Sequence, residues 1–168
     1  MKIKHHFLTG LPFVGKTTAL LRIIQSLEHA SGFITLADIR NGNKTGLNLV
    51  TSGGQTFHVA AVNPLSPQRT GRYFVNPEIL KEAMEKILEY SSHSKYIYMD
   101  EIGTLYCQSS FFTDTVRTLL ESRILIGIVA RKGHAFIHEI HRRQDCSFTE
   151  INGDNRDDIP GIILKRLV

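Results

Sequence analysis

Two short runs of residues carry most of the chemistry open to this sequence. In GLPFVGKTT, Gly10, Gly15, Lys16 and Thr17 satisfy the spacing G-x-x-x-x-G-K-[ST]. Glycines at both ends permit a tight backbone path whose N–H groups point inward at an anion. Lys16 is placed to reach the outer phosphates of a nucleotide, and the Thr17 hydroxyl is a ligand suited to Mg²⁺. The second run is YIYMDEIG, where an apolar stretch ends in Asp100 and Glu101. An acid at the end of a strand beside such a loop can join the metal's shell, which is the role expected of Asp100. An adjacent carboxylate can orient and deprotonate a water for attack on a γ-phosphate, the role expected of Glu101.

The candidate catalytic residues are therefore Lys16 and Glu101, and the candidate metal ligands are Thr17 and Asp100. The nucleotide-binding set is Gly10, Leu11, Pro12, Phe13, Val14, Gly15, Lys16, Thr17, Thr18, Asp100 and Gly103. Phe13 stands where many such loops carry glycine. A bulky side chain there must point away from the phosphates, to shield the site or to pack on a neighbouring loop.

These residues need a scaffold, and the patterning supplies one. HHFLTG reads as a strand entering the loop, and GKTTALLRIIQSLEHA as a helix with Leu20, Ile23, Ile24 and Leu27 on one face. GFITLADI reads as a strand. TGLNLVTSGGQTFHVAAV reads as two strands joined at SGGQ, a hairpin signal. NPLSPQRTGR reads as a loop. NPEILKEAMEKILEYS reads as a helix capped by Asn76, with Pro77 at its first position. KYIYMDEIG is a strand, FFTDTVRTLLES a helix, ILIGIVA a buried strand, AFIHEIHRR a short helix, SFTEIN a strand and DDIPGIILKRLV a final helix. Alternating strands and helices imply an α/β domain around a mostly parallel sheet, with an antiparallel hairpin added.

With both motifs in place, the chain resembles the small nucleoside triphosphatases first described from thermophiles, also called cancer-related nucleoside triphosphatases. The resemblance spans nearly the whole chain and rests on LTGLPFVGKTT, GFITLADIR, GRYFVNPEILKEA, MDEIG and NRDDIP. It implies a RecA-like P-loop fold and slow, Mg²⁺-dependent hydrolysis of several nucleoside triphosphates, ATP and GTP among them, to diphosphate and phosphate. It also implies that Asn155, Arg156 and Asp157 lie near the nucleotide base. The sequence departs from the family pattern in three places. Phe13 replaces a loop glycine. Thr104, Leu105 and Tyr106 stand where the family reads Lys-Met-Glu. GFITLADIR lacks an acidic pair before its arginine.

Composition narrows the classes. The 168 residues fit one domain spanning 1–168, with 42% hydrophobic and 21% charged residues. No apolar run approaches a membrane span and no signal peptide is evident, so a cytoplasmic protein is expected. Cys107 and Cys146 fit no metal pattern and read as free thiols. The net charge of +4 suits an anionic ligand but does not by itself argue for nucleic acid, and a monomer is expected.

An arginine can stabilise charge on a γ-phosphate in the transition state. Arg40, Arg69, Arg72 and Arg131 are candidates, with Arg131 first because it follows ILIGIVA, and Arg69 second. His134, His138 and His141 would share a helix face, which suits a solvated face better than a metal site. Two other functions fit the same motifs. One is a small-molecule or nucleoside kinase with an acceptor pocket. The other is a nucleotide-dependent switch or RNA-associated module.

Overall fold

A computed structural model describes residues 2–62 and 69–167, and of Arg69 and Thr70 the backbone alone. Among the described residues one nine-stranded sheet runs through the molecule, in the order β5-β6-β4-β3-β2-β7-β8-β1-β9. Its strands are β1 His5–Thr9, β2 Ala30–Arg40, β3 Asn43–Thr51, β4 Thr56–Ala61, β5 Arg69–Thr70, β6 Tyr73–Val75, β7 Tyr96–Ile102, β8 Ile124–Val129 and β9 Cys146–Glu150. Neighbours among β9, β1, β8, β7 and β2 are parallel. The strands beyond β2 join antiparallel. The helices are α1 Lys16–Ile24, α2 Pro77–Ser91, α3 Thr104–Cys107, α4 Ser110–Ser122, α5 Ala135–Arg142 and α6 Ile159–Leu167.

The central strands β7 and β8 are largely apolar because helices cover both faces. On one face Phe7, Phe33, Ile97 and Met99 pack with Leu80, Met84 and Ile87 of α2, Phe112 and Val116 of α4, and Phe136 and Ile140 of α5. On the other, Leu8, Tyr96, Tyr98, Ile126 and Ile128 pack with Leu20 and Ile23 of α1 and Ile163 of α6. Asn76 caps α2 as expected, its Oδ1 accepting from the amides of Glu78 at 3.1 Å and Ile79 at 3.2 Å.

Several elements differ from the sequence expectation. The first helix stops at Ile24 instead of running to residue 30. The chain turns there because His29 lies in the left-handed region and its carbonyl accepts from the amides of Lys95 and Tyr96, which starts β2 two residues early. The antiparallel part is larger than one hairpin. β2 continues past its last pairing with β7, at Phe33, and folds back on β3 at Asn41–Gly42, both with positive φ. The segment read as a loop, 63–72, contains the short strand β5, and the short strand β6 follows it directly. The expected loop also covers residues 63–68, which lie outside the described residues.

Candidate active site

The parallel strands deliver their C-terminal ends to one edge, where ligands bind in open α/β sheets. β1 ends in the glycine loop. β7 is two strands away and ends in the acids, with β8 between them. Gly10 has φ 149°, and a Cβ there would stand 2.5 Å from the Ile151 carbonyl oxygen, so only glycine lets the loop pass under β9. Gly15, with φ 101°, is the N-cap of α1. Among the described residues no side chain caps this helix, so the amides of its first turn face the loop. The Lys16 ammonium lies across the loop and donates to the carbonyls of Gly10 at 3.1 Å and Leu11 at 2.6 Å. Partial burial lowers its pKa, Glu101 and Asp100 oppose that shift, and Arg131 reinforces it.

Phe13 occupies the left-handed region at φ 64° with its side chain wholly in solvent. The expectation that it points away from the anion site agrees with this geometry. The expectation that it packs on a neighbouring loop does not. Holding a bulky residue in that conformation costs on the order of 1 kcal/mol.

Asp100 is 3% exposed. Its Oδ1 accepts from the Thr17 hydroxyl at 3.0 Å and its Oδ2 from the Thr35 amide at 3.2 Å. Burial pushes its pKa up to about 6, while the hydrogen bonds from Thr17 and Thr35 pull the other way. These contacts bring together two oxygen-bearing side chains from different elements, Thr17 at the start of α1 and Asp100 on β7.

Glu101 follows at φ 89°, in the gap where pairing of β7 with β8 breaks between Met99 and Ile102. At the break Glu101 is exposed, and its carboxylate lies against Gly103. Loss of surrounding water raises its pKa, against the pull of Lys16 and Lys44. Gly103 was expected among the nucleotide contacts. Its visible role is to make room for Glu101, since a Cβ at 103 would lie 2.8 Å from Glu101 Oε1. It also starts α3, a helix the sequence reading missed.

Arg131 leaves the end of β8, between loop and acids, and its guanidinium pairs with Glu150. Its effect on Lys16 places it within electrostatic reach of the loop. Arg69 belongs to β5, the outermost strand of the wing, and its side chain lies outside the described residues. Arg72 donates to its neighbour Tyr73 Oη at 3.1 Å, and Arg40 pairs with Asp38 at 3.5 Å.

Beside the loop, a cavity of about 230 Å³ is lined by Gly15, Thr18, Ala19, Arg22, Arg156 and Asp157. Asn155 stitches its wall, with Nδ2 donating to the Glu150 carbonyl at 2.9 Å, and Asp157 pairs with Arg22 at 2.7 Å. Arg22 and the contact of Arg156 Cδ with Gly15, 3.4 Å from a Cβ built there, were not read from the sequence. Arg22 sits four residues after Thr18 on α1, one turn along the same face, so helical spacing was the available signal.

His134 caps α5, accepting from the Phe136 amide at 3.2 Å, and His141 Nε2 lies 2.9 Å from the Ala130 carbonyl oxygen. Among the described residues no group of His, Cys, Asp and Glu forms a metal cluster. Both cysteines are buried, and burial pushes their thiols up to about 12, so neither is a nucleophile. Among the described residues no helix is long and apolar enough to cross a membrane.

The sequence model described as NTPase matches residues 5–164. Nucleoside-triphosphatase THEP1 of Thermotoga maritima is 32% identical over 163 residues, covering 95% of this chain and 93% of that protein. The crystal structure of THEP1 from Aquifex aeolicus superposes with a TM-score of 0.83 at 29% identity, covering 99% of both chains. The solution structure of a human cancer-related nucleoside triphosphatase gives 0.80 at 26% identity over 96% of both. The RecA-like P-loop fold is thus shared along nearly the full chain, and the chain belongs to the NTPase family of nucleoside-triphosphatases.

Proposed function

We propose that this chain hydrolyses nucleoside 5′-triphosphates to the diphosphate and phosphate, with Mg²⁺ held by Thr17 and Asp100 and with Glu101 as the base. The observation that carries the reading is the placement of Glu101. It is exposed at a break in the strand, next in the chain to the acid that touches Thr17.

The donor set fits Mg²⁺. This ion prefers oxygen and is held by one or two protein ligands together with waters and substrate phosphates. Two such oxygens, Thr17 Oγ1 and Asp100 Oδ1, lie 3.0 Å apart, in reach of one cation. The raised pKa of Asp100 marks a buried carboxylate that a cation would stabilise in its charged form. Bound there, Mg²⁺ would neutralise charge on the β- and γ-phosphate oxygens and help align them.

The chain's own groups perform the rest. The loop amides and the α1 N-terminus hold the β-phosphate. Lys16 exchanges its loop carbonyls for phosphate oxygens. Glu101 takes a proton from water as the oxygen attacks the γ-phosphorus, and the bond to the leaving diphosphate oxygen breaks. A positioned base contributes typically 10²–10⁴-fold. Arg131 supplies positive charge near the outgoing phosphoryl oxygens once it releases Glu150. The cavity at Thr18, Arg22 and Arg156 suits the ribose and base.

The test is phosphate release from ATP, GTP, CTP and UTP, with Mg²⁺ or with chelator, for the wild type and Lys16→Ala. Turnover that requires Mg²⁺ and disappears in Lys16→Ala is expected. Turnover unaffected by chelator, or retained in Lys16→Ala, overturns the assignment.

A further inference from the structure

Asp100 is gripped from its buried side as well as from the loop. Thr35, on β2, meets it twice. The Thr35 amide donates to Oδ2 at 3.2 Å, and the Thr35 hydroxyl donates to the Asp100 carbonyl at 2.9 Å. That second bond uses the only hydroxyl proton Thr35 has. The 3.1 Å contact between Thr35 Oγ1 and Tyr106 Oη must then be donated by the tyrosine. The polar chain therefore runs one way, from Tyr106 to Thr35 to Asp100.

Tyr106 is well placed to anchor it. It is 2% exposed, with its ring edge-on to Phe33 at 6.1 Å and tilted against Phe112 at 5.5 Å. Burial pushes its hydroxyl's pKa upward, so it stays protonated and can donate.

We propose that Thr35 and Tyr106 are positioning residues: their hydroxyls fix the Asp100 backbone carbonyl while the Thr35 amide holds Oδ2, and together these bonds aim the carboxylate towards the metal–nucleotide complex. The proposal rests on the assignment of Asp100 as a metal ligand. Partners behind a ligating carboxylate are typically worth 10–100-fold in metal affinity.

The experiment measures nucleotide affinity with and without Mg²⁺, using a fluorescent ADP analogue, and the Mg²⁺ concentration for half-maximal hydrolysis. The variants are Tyr106→Phe, Thr35→Val, Thr35→Ser and the Thr35→Val/Tyr106→Phe double. Thermal melting confirms that each is folded. Metal-free affinity should stay at the wild-type value in all of them. The gain conferred by Mg²⁺ should fall on the order of tenfold in Tyr106→Phe and Thr35→Val, with a matching rise in the Mg²⁺ requirement. The double variant should be no worse than Thr35→Val, because the hydroxyls act in series. Thr35→Ser should behave as wild type.

If the wild type gains affinity from Mg²⁺ and folded Tyr106→Phe keeps the full gain, the relay is wrong while the metal assignment stands. A wild type with no Mg²⁺ gain overturns both. Should Thr35→Val fail to fold, Tyr106→Phe against Thr35→Ser decides the matter.

Discussion

At the residue scale, the site is built from side chains held in costly states. Asp100 is buried with its pKa raised to about 6, and Glu101 sits at φ 89°. A carboxyl whose folded pKa exceeds its unfolded value binds more protons when folded. Its contribution to stability is present at low pH and is lost as pH rises from about 4 to about 6, a change of about 3 kcal/mol. His5 runs the other way. Burial lowers its pKa to about 4, so stability is lost as pH falls from about 6.5 to about 4. The two slopes oppose each other across one window. Urea unfolding between pH 4 and 6 should therefore show Asp100→Asn gaining on the wild type by about 3 kcal/mol as pH rises. A constant difference between the two proteins contradicts this. Gly103→Ala is a second test at this scale. Its φ of −121° accommodates alanine, so folding should survive, but the new Cβ displaces the Glu101 carboxylate. Turnover should drop roughly ten- to hundredfold with nucleotide affinity unchanged. Gly10→Ala should instead cost about 2–4 kcal/mol of stability, because backbone, not a side-chain tip, stands in the way.

At the scale of elements, the arrangement of strands decides which residues meet. β8 lies between β1 and β7, so its C-terminal end carries Arg131 to the loop and the acids, whereas Arg69 belongs to the far edge strand. Arg131→Ala should lower turnover by about 100- to 1000-fold, by analogy with other donors aimed at developing charge, and should barely change nucleotide affinity. Arg72→Ala, whose side chain is engaged with Tyr73, should be close to wild type in steady-state assays. Much of this frame was legible in the sequence. The loop, the acid-bearing strand, the Asn76 cap and the SGGQ turn follow from local rules about glycine, capping and periodicity. The fold-back of β2 on β3 was missed although Asn41–Gly42 is a strong hairpin signal, because polar residues on both sides masked the alternation. The end of α1 was missed because Ser26 to Glu28 favour helix locally, and pairing of Ala30 with Tyr96 overrides that preference. β5 and β6 are too short for any period to register.

At the scale of the whole molecule, the loop and the acids lie 83 residues apart and meet only through the sheet, as the Thr17–Asp100 contact shows. That long-range pairing is why the motif residues could be named from sequence while Thr35, Tyr106, Arg22 and the role of Gly103 could not. Thr35, Tyr106 and Arg22 belong to no motif and acquire their roles from neighbours distant in the chain, and Gly103 acquires its role from the path the backbone takes at Glu101. Binding across such a site links ligand to stability. Mg²⁺ and a non-hydrolysable triphosphate at 100 times the dissociation constant should stabilise the fold by about 2.7 kcal/mol. That should raise the melting temperature by roughly 5–10 °C, and Lys16→Ala should lose most of the shift. The most direct measurement pairs nucleotide binding with phosphate release in Glu101→Gln. The expected result is a variant that binds Mg²⁺ and triphosphate as the wild type does but releases phosphate at least 100-fold more slowly. Hydrolysis at the wild-type rate in that variant would contradict the assignment of Glu101 as the base.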